Sequence, residues 1–140
     1  MSAGQGMLLA PLIAVIAGLA SGLSGQSGPG RTVRDQVYSD AQAVRGKAVY
    51  NDQCSNCHDG GAMGPALTGA DFLASWESKS VRALYDRVLN TMPSDAPGTL
   101  QQKEALDVMA YLIKANGFSA GADELSAPDA LNEIKIVRAK

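Results

Sequence analysis

Residues 54–58 of the chain read Cys-Ser-Asn-Cys-His, and this pentapeptide holds the only two cysteines and the only histidine among the 140 residues. Two thiols three positions apart on one helical turn can each add to a vinyl group of the same haem, and the adjacent imidazole is then delivered to the iron. The motif therefore predicts covalent attachment of one haem c through Cys54 and Cys57, with His58 as an axial ligand of the iron.

Three other interpretations of this pentapeptide stay open on the residues alone. A thioredoxin-like dithiol is expected in a βαβ context, which the surrounding sequence does not indicate. A structural zinc site needs four ligands, so the two cysteines and the histidine would require a carboxylate as the fourth. A disulfide between Cys54 and Cys57 suits an exported protein but leaves His58 without a role. Haem attachment accounts for all three side chains, and we favour it.

The second axial ligand is predicted by elimination. His58 is the only histidine, so two histidines of one chain cannot bind the same iron. Methionine is the common alternative in electron-transfer haems, where its thioether raises the reduction potential. Two of the five methionines lie in the apolar amino end, Met63 follows His58 by five residues, and Met109 lies in an apolar helical stretch that favours a core position. Met92 lies 34 residues after His58 and directly before Pro93, and it is our predicted ligand.

The composition is that of one globular domain. The chain carries 12 Lys+Arg and 14 Asp+Glu, a formal net charge of −2, and 46% of its residues are hydrophobic. A nucleic-acid-binding domain would need a basic patch, so this charge balance excludes nucleic acid as a partner. All the charged residues lie from Arg31 onward, which separates an uncharged amino end from the body of the chain.

The uncharged amino end is predicted to direct export. An apolar run of 17 residues at 7–23 leads into a Gly/Ser-rich stretch, as in a secretory signal peptide, and cleavage after Ala20 would satisfy the small-residue rule. Because no Lys or Arg precedes the run, an uncleaved membrane anchor remains the alternative. We assign 1–22 to the signal peptide or anchor and 23–38 to a linker. The protein is expected to be periplasmic and to contact the membrane only if the leader is retained.

Three main helices are predicted in the body of the chain, so the expected fold class is all-α. The first follows the capping residue Ser39 and runs to about residue 53. The second spans about 81–90 and carries the strongest amphipathic stripe of the sequence. The third begins after a box-like pattern at Thr99 and ends at Asn116-Gly117.

The domain formed by these helices is predicted to span residues 39–118, followed by a C-terminal extension at 119–140. Gly46 lies inside the first helix, where glycine costs about 1 kcal/mol relative to alanine, and indicates a close approach by another backbone or ring. Long loops at 54–71 and 91–99 leave a domain of this size short of core. We therefore expect a non-protein group to complete the core.

From Ser39 to Phe118 the sequence resembles a class I c-type cytochrome with one haem ligated by histidine and methionine. The resemblance rests on Gly46 and Tyr50, the pentapeptide, Gly64-Pro65-Ala66-Leu67, Thr91-Met92-Pro93, and Tyr111 in the last helix. It implies the cytochrome c fold, three main helices around one covalently bound haem, with Gly46 and Tyr50 meeting Tyr111. It also implies that the Pro65 carbonyl accepts a hydrogen bond from His58 Nδ1–H, and that the Trp76 indole reaches a haem propionate.

The C-terminal extension and the residues just before it contain the phrases Lys114-Ala-Asn-Gly-Phe118 and Glu124-Leu-x-x-Pro-x-Ala-Leu131, ending near Ile134-Lys-Ile136. In these phrases the extension resembles c-type cytochromes that partner quinoprotein dehydrogenases. Two interpretations of its apolar side chains stay open: they pack onto the domain, which we favour, or the extension tethers the chain to a dehydrogenase. The side chains concerned are Leu125, Leu131, Ile134 and Ile136.

The predicted function is one-electron transfer rather than catalysis. Haem iron with both axial positions filled offers no vacancy for a substrate, and electrons are expected to pass between a dehydrogenase donor and an oxidase or another cytochrome. The expected docking rim around the haem edge consists of Ala62, Met63, Pro93 and Ala96. Two alternatives are an electron-accepting subunit of a quinoprotein dehydrogenase, and an enzyme or gas sensor in which Met92 is labile.

Overall fold

The computed structural model describes residue 1, residues 30–60 and residues 63–139. The predicted leader and its cleavage site lie outside the described residues apart from Met1, as does Ala62 of the expected docking rim. Within the described ranges, no helix has the length and apolar character needed to cross a bilayer.

In the described part of the chain, five α-helices form the domain: α1 (Asp40–Gln53), α2 (Ser55–His58), α3 (Ala70–Trp76), α4 (Val81–Thr91) and α5 (Gln102–Ala115). A 3₁₀ helix, Pro128–Glu133, follows in the C-terminal extension. Extended pairing over residues 30–60 and 63–139 is limited to three isolated bridges. The all-α prediction is confirmed, and the two short helices α2 and α3 are additions to the three predicted ones.

Of the two helix starts predicted from capping patterns, the one at Ser39 is confirmed and the one at Thr99 is not. The Ser39 Oγ accepts a hydrogen bond from the Gln42 amide over 3.1 Å at the start of α1, and a serine before α4 caps that helix in the same way. At α5 the prediction of a box at Thr99 is wrong. Gln101 is the N-cap, and its amide donates to the Glu104 carboxylate over 2.9 Å. An ionised carboxylate is the stronger acceptor, which favours this pair over Thr99 and its neutral glutamine partner.

Among the helices of the described residues, α1 and α5 share the most extensive contact. A Cβ atom at Gly46 would lie 1.8 Å from the backbone oxygen of Asp107 and 3.0 Å from Tyr111 Cβ. One turn further along α1, the rings of Tyr50 and Tyr111 lie 4.9 Å apart between centroids. Gly46 and Tyr50 therefore meet Tyr111, as the resemblance implied, and the backbone approach accounts for a glycine within a helix.

The buried face of α5 includes one carboxylate. Asp107 is only 4% exposed, and it accepts hydrogen bonds from Arg45 and from Lys103. Burial alone would raise the pKa of Asp107, but the two cationic donors lower the pKa below its ordinary value. Arg45 also donates to Glu124 over 2.7 Å, so this ion-pair network joins α1, α5 and the C-terminal extension.

The C-terminal extension packs on the domain through the four apolar side chains that the sequence singled out. Leu125, Leu131, Ile134 and Ile136 are each 5% exposed or less. The described part of the expected linker, residues 30–38, is packed as well. Its buried residues include Val33, Val37 and Tyr38.

Candidate cofactor site

The two cysteines are positioned by the junction of α1 and α2. Cys54 is the residue that ends α1, and its amide donates to the Tyr50 carbonyl over 2.9 Å. The single turn of α2 then carries Cys57 and His58, whose amides both donate to the Cys54 carbonyl over 3.1 Å. Burial raises the pKa of the Cys54 thiol to about 11, with smaller contributions from Asp59 and Cys57. One helical turn thus presents two half-buried sulfurs and one imidazole.

The His58 ring is held from behind by the next loop. Its Nδ1 lies 2.6 Å from the Pro65 carbonyl oxygen, the contact that the resemblance implied. Because a carbonyl only accepts, Nδ1 carries the proton and Nε2 keeps its lone pair for a metal. Gly64 makes room for the ring, since a Cβ there would lie 2.9 Å from His58 Cε1. The loop therefore fixes both the tautomer and the orientation of the imidazole.

A cavity in two lobes opens beside this imidazole. The larger lobe has a volume of about 750 Å³ and the smaller about 270 Å³. Five residues line both lobes, which places the two lobes next to each other: His58, Pro65, Leu67, Val88 and Met92. The larger lobe lies within the range of about 300–1,000 Å³ that is usual for small-molecule and cofactor sites.

All six sequence-predicted site residues lie on this cavity. Cys54 and Cys57 line the smaller lobe, and Trp76 lines the larger lobe. His58, Pro65 and Met92 line both lobes.

Met92 is held at the end of a helix. It is the C-cap of α4, where its amide donates to the Val88 carbonyl over 3.0 Å. The other methionines considered as ligands are placed differently. Met109 is fully buried in the core, and Met63 reaches the smaller lobe but is 73% exposed.

Two cations on the larger lobe were not predicted from the sequence. Lys79 and Arg87 both line it, together with the carboxylate residue Asp71. Lys79 Nζ lies 4.8 Å from the centre of the Trp76 ring and donates to the Ser75 carbonyl over 2.8 Å. The sequence did contain a signal for Arg87. It follows the cavity residue Leu84 by three positions on α4, and residues three apart lie on the same face of a helix. Lys79 lies in a turn, where no periodicity marks its direction.

Near Cys54 the structure also orders an acidic side chain. The Tyr50 hydroxyl donates to Asp59 over 2.6 Å. Burial, followed by this hydrogen bond, raises the pKa of Tyr50. The hydrogen bond ties the residue after His58 back to α1 and braces the turn that carries the two cysteines.

The residues present fit a haem c. The donor set of two thiols, one imidazole with a free Nε2 and one thioether matches covalent attachment with His/Met ligation. The walls are largely apolar, as a porphyrin requires, and the two cations match the carboxylates at its edge. Zinc fits poorly, because no three His, Cys, Asp or Glu side chains of the described residues converge to hold a metal ion on their own.

Comparison with protein families agrees with this geometry. The family model described as cytochrome c oxidase, cbb3-type, subunit III matches residues 41–112, just over half of the chain, from the start of α1 into α5. Neither the curated proteins nor the solved structures contain a match to the chain. Domains of this family carry covalently bound haem c with its iron and act in electron transfer. The chain, all-α with the cytochrome c fold, belongs to this family of c-type cytochromes.

Proposed function

We propose that the protein is a one-electron carrier in a periplasmic respiratory or dehydrogenase-linked chain. The observation that carries the proposal is the placement of His58 and Met92, which line both lobes of the same cavity. Haem c supplies, when bound, an iron that alternates between the ferric and ferrous states with little rearrangement. Side chains of the protein attach this group, ligate its iron, bind its propionates and form the surface that meets redox partners.

Cys54 and Cys57 are proposed as the two points of covalent attachment, and His58 and Met92 as the axial ligands. The hydrogen bond from His58 Nδ1 to Pro65 keeps the imidazole in the ligating tautomer and increases its basicity. Met92 is fixed by its position at the end of α4. A soft thioether held in place raises the reduction potential relative to a second nitrogen ligand.

Trp76, Lys79 and Arg87 are proposed to bind the propionates. All three line the larger lobe, and the indole N–H and the two cations are donors that carboxylates accept. Neutralising two carboxylates in a partly apolar cavity avoids the cost of burying unpaired charge.

A carrier is favoured over an enzyme or gas sensor. The chain contains no histidine besides His58, so it lacks a distal imidazole for acid–base work on a bound substrate. With Met92 in place, no axial position is open to a diatomic ligand. Carbon monoxide is therefore expected to bind slowly and incompletely to the reduced protein, and rapidly to a Met92→Ala variant.

The docking surface is proposed to be the rim of the smaller lobe. Met63 is 73% exposed, Pro93 lines the opening and is half-buried, and Ala96 is exposed in the loop that follows. A small apolar contact of this kind suits brief encounters with redox partners. The partner classes are a dehydrogenase as donor and an oxidase or another cytochrome as acceptor.

The alternative is an electron-accepting subunit of a quinoprotein dehydrogenase. The extension that would serve as its tether buries its apolar side chains, Leu131 and Ile134 among them, against its own domain. These residues are therefore not free to anchor a partner, which favours the carrier. Co-purification with a larger quinoprotein would instead favour the subunit.

The domain organisation follows from the same proposal. Residues 1–22 form a signal peptide or anchor, 23–38 connect it to the cytochrome domain at 39–118, and 119–140 form the extension. Mass spectrometry of the mature protein tests the cleavage after Ala20.

The test of the site is the absorption spectrum of protein made in cells able to attach haem. The ferric protein should show the weak charge-transfer band of a methionine–iron bond, and a redox titration should follow a one-electron curve. Met92→Ala should abolish the band, whereas Met109→Leu and Met63→Leu should retain it. A band that survives in Met92→Ala and disappears in Met63→Leu would reassign the ligand, and colourless protein would refute the whole proposal.

A further inference from the structure

The C-terminal extension contacts the turn that follows Trp76 at the end of α3. This turn carries Lys79 to the cavity wall. Two backbone hydrogen bonds join this turn to Ile136. The Ser78 amide donates to the Ile136 carbonyl over 2.9 Å, and the Ile136 amide donates to the Lys79 carbonyl over 2.9 Å. The extension therefore binds the residue just before Lys79 as well as Lys79 itself.

The same segment of the extension is held on its other side. Lys135 donates its amide to the Arg31 carbonyl over 2.8 Å, and its carbonyl accepts from the Val33 amide over 3.0 Å. The Val81 amide donates to the Ile134 carbonyl over 2.8 Å. Residues 134–136 thus lie between residues 31–33 and the turn before α4. Moving residues 134–136 would break hydrogen bonds on both sides.

The Ile136 side chain stands behind the wall of the larger lobe. It is 4% exposed and lines a small void of about 20 Å³ together with Phe72 and Leu84. Phe72 and Leu84 also line the larger lobe. Ile136 therefore supports the cavity as a second layer, although it does not reach the cavity.

The backbone of the turn needs this support. Ser78 has a φ of +65°, in the left-handed region that residues other than glycine rarely adopt. Such a conformation persists where neighbouring contacts hold it, and the two hydrogen bonds to Ile136 flank it. The direction in which Lys79 leaves the turn, towards the Trp76 ring, depends on this conformation.

We propose that the C-terminal extension is a positioning element of the cofactor site, which holds Lys79 beside the larger lobe through Ile136 and so raises the reduction potential. The inference rests on the proposed function, in which Lys79 faces the cofactor. A fixed positive charge favours the reduced form because reduction adds one electron. The effect weakens when the charge moves out into water.

The experiment is a double-mutant cycle on the haem-loaded protein. Ile136→Ala removes the supporting side chain, and Ile136→Val is the milder variant should the first accumulate poorly. Lys79→Gln removes the charge, and the double variant tests whether one residue acts through the other. The control is Leu125→Ala, which changes a residue of the same extension that is 5% exposed but is bound to Gln42 of α1.

Two readouts are measured: the reduction potential by spectroelectrochemical titration at low ionic strength, and amide hydrogen exchange at Ser78 and Val81. Ile136→Ala should lower the equilibrium constant for reduction about threefold, an effect of the order expected for a displaced surface charge, and should speed exchange at both amides. Its effect on the potential should vanish in the Lys79→Gln background. Leu125→Ala should lower stability while leaving the potential unchanged.

Three other outcomes would each refute a different claim about the extension or Lys79. An effect of Lys79→Gln without any effect of the Ile136 variants refutes the positioning role and leaves the proposed function intact. An equal effect of Ile136→Ala in both backgrounds shows that the extension does not act through Lys79. An unchanged potential in Lys79→Gln removes both the inference and the proposed role of Lys79.

Discussion

The crossing of α1 and α5 gives the sharpest mutational prediction, the Gly46→Ala substitution. The added Cβ would lie 1.8 Å from the Asp107 backbone oxygen, where ordinary contact begins at about 3.4 Å. The obstacle is backbone rather than a flexible side chain, so the two helices must move apart by more than an ångström. Overpacking of a close-packed core costs about 1–3 kcal/mol, and occasionally more.

An opposing effect makes the prediction informative. Alanine favours the helix over glycine by about 1 kcal/mol, so helix propensity alone predicts that Gly46→Ala stabilises the protein. We expect the steric cost to lie near the upper end of this range, about 3 kcal/mol, because the obstacle is backbone, which leaves a net loss of about 2 kcal/mol. A matched control is Ala48→Gly, at an exposed position of the same helix, which measures the propensity difference without the clash.

The assay is urea unfolding of the haem-loaded protein, followed by far-ultraviolet circular dichroism and by haem absorbance. Gly46→Ala should lower the unfolding midpoint with little change in slope, and Ala48→Gly should cost about 1 kcal/mol. A Gly46→Ala protein as stable as the wild type, or more stable, would refute the claim that backbone contact requires a glycine at this position.

Three further predictions concern charge and packing. Although burial raises the pKa of Asp107, Arg45 and Lys103 lower this pKa below its ordinary value in the folded protein, so the contribution of Asp107 to stability is fully present at neutral pH and is lost as the pH falls through the folded value. The destabilisation caused by Asp107→Asn, measured by urea unfolding, should therefore be constant above about pH 5 and shrink at lower pH; an increase at low pH would contradict this sign. Leu131 is 1% exposed, so Leu131→Ala should cost about 2–5 kcal/mol in the same assay, and a loss below about 1 kcal/mol would show that the extension is only loosely packed. Asp52 and Asp95 line the smaller lobe and neither forms a salt bridge among the described residues. Asp95→Lys should slow stopped-flow oxidation of the ferrous protein by cationic tris(1,10-phenanthroline)cobalt(III) and speed its oxidation by anionic hexacyanoferrate(III), whereas unchanged rates with both oxidants would place Asp95 away from the route of the electron.

The long helices could be predicted from the sequence because their signals are local. Ser39 marks the start of α1, and the apolar stripe of α4 ends before Pro93, so both helices were predicted to within about one residue at each end. The helices α2 and α3, four and seven residues long, were missed. One or two turns are too short for a period of 3.6 residues to be visible against chance.

In the candidate cofactor site, too, some residues could be predicted from the local sequence and others could not. Cys54, Cys57 and His58 lie within five consecutive residues, and Met92 was proposed from chemistry and chain length, so naming these four candidates needed no knowledge of the fold, and the structure places all four on the cavity. Lys79 could not be predicted because its approach to the cavity depends on a turn, and that turn is held by Ile136, 57 residues later in the chain. Contacts of this range leave no periodic trace in the sequence.

The packed segment at residues 30–38 was expected to be a linker for a related reason. Val33 is 1% exposed, yet its neighbour Thr32 pairs with Lys135 of the C-terminal extension in an isolated bridge rather than in a regular strand. Isolated bridges impose no alternation of apolar and polar residues along the chain. A few apolar residues after a Gly/Ser-rich stretch therefore look like a connecting segment, and the sequence gives no sign that they are packed.

The two walls of the cavity are therefore specified differently, one by a local sequence motif and the other by contacts between distant segments of the chain. The wall formed by α2 and the Gly64-Pro65 loop is specified locally, by a motif and by the hydrogen bond between His58 and Pro65. The wall formed by α3 and the turn before α4 is held by residues 31–33 and by the C-terminal extension, which meet at Lys135. A domain of this size cannot supply a large core of its own, so we expect a cofactor that contacts both walls to complete the core. Attachment of the cofactor and packing of the extension should then stabilise each other, because both order α3 and the turn that carries Lys79.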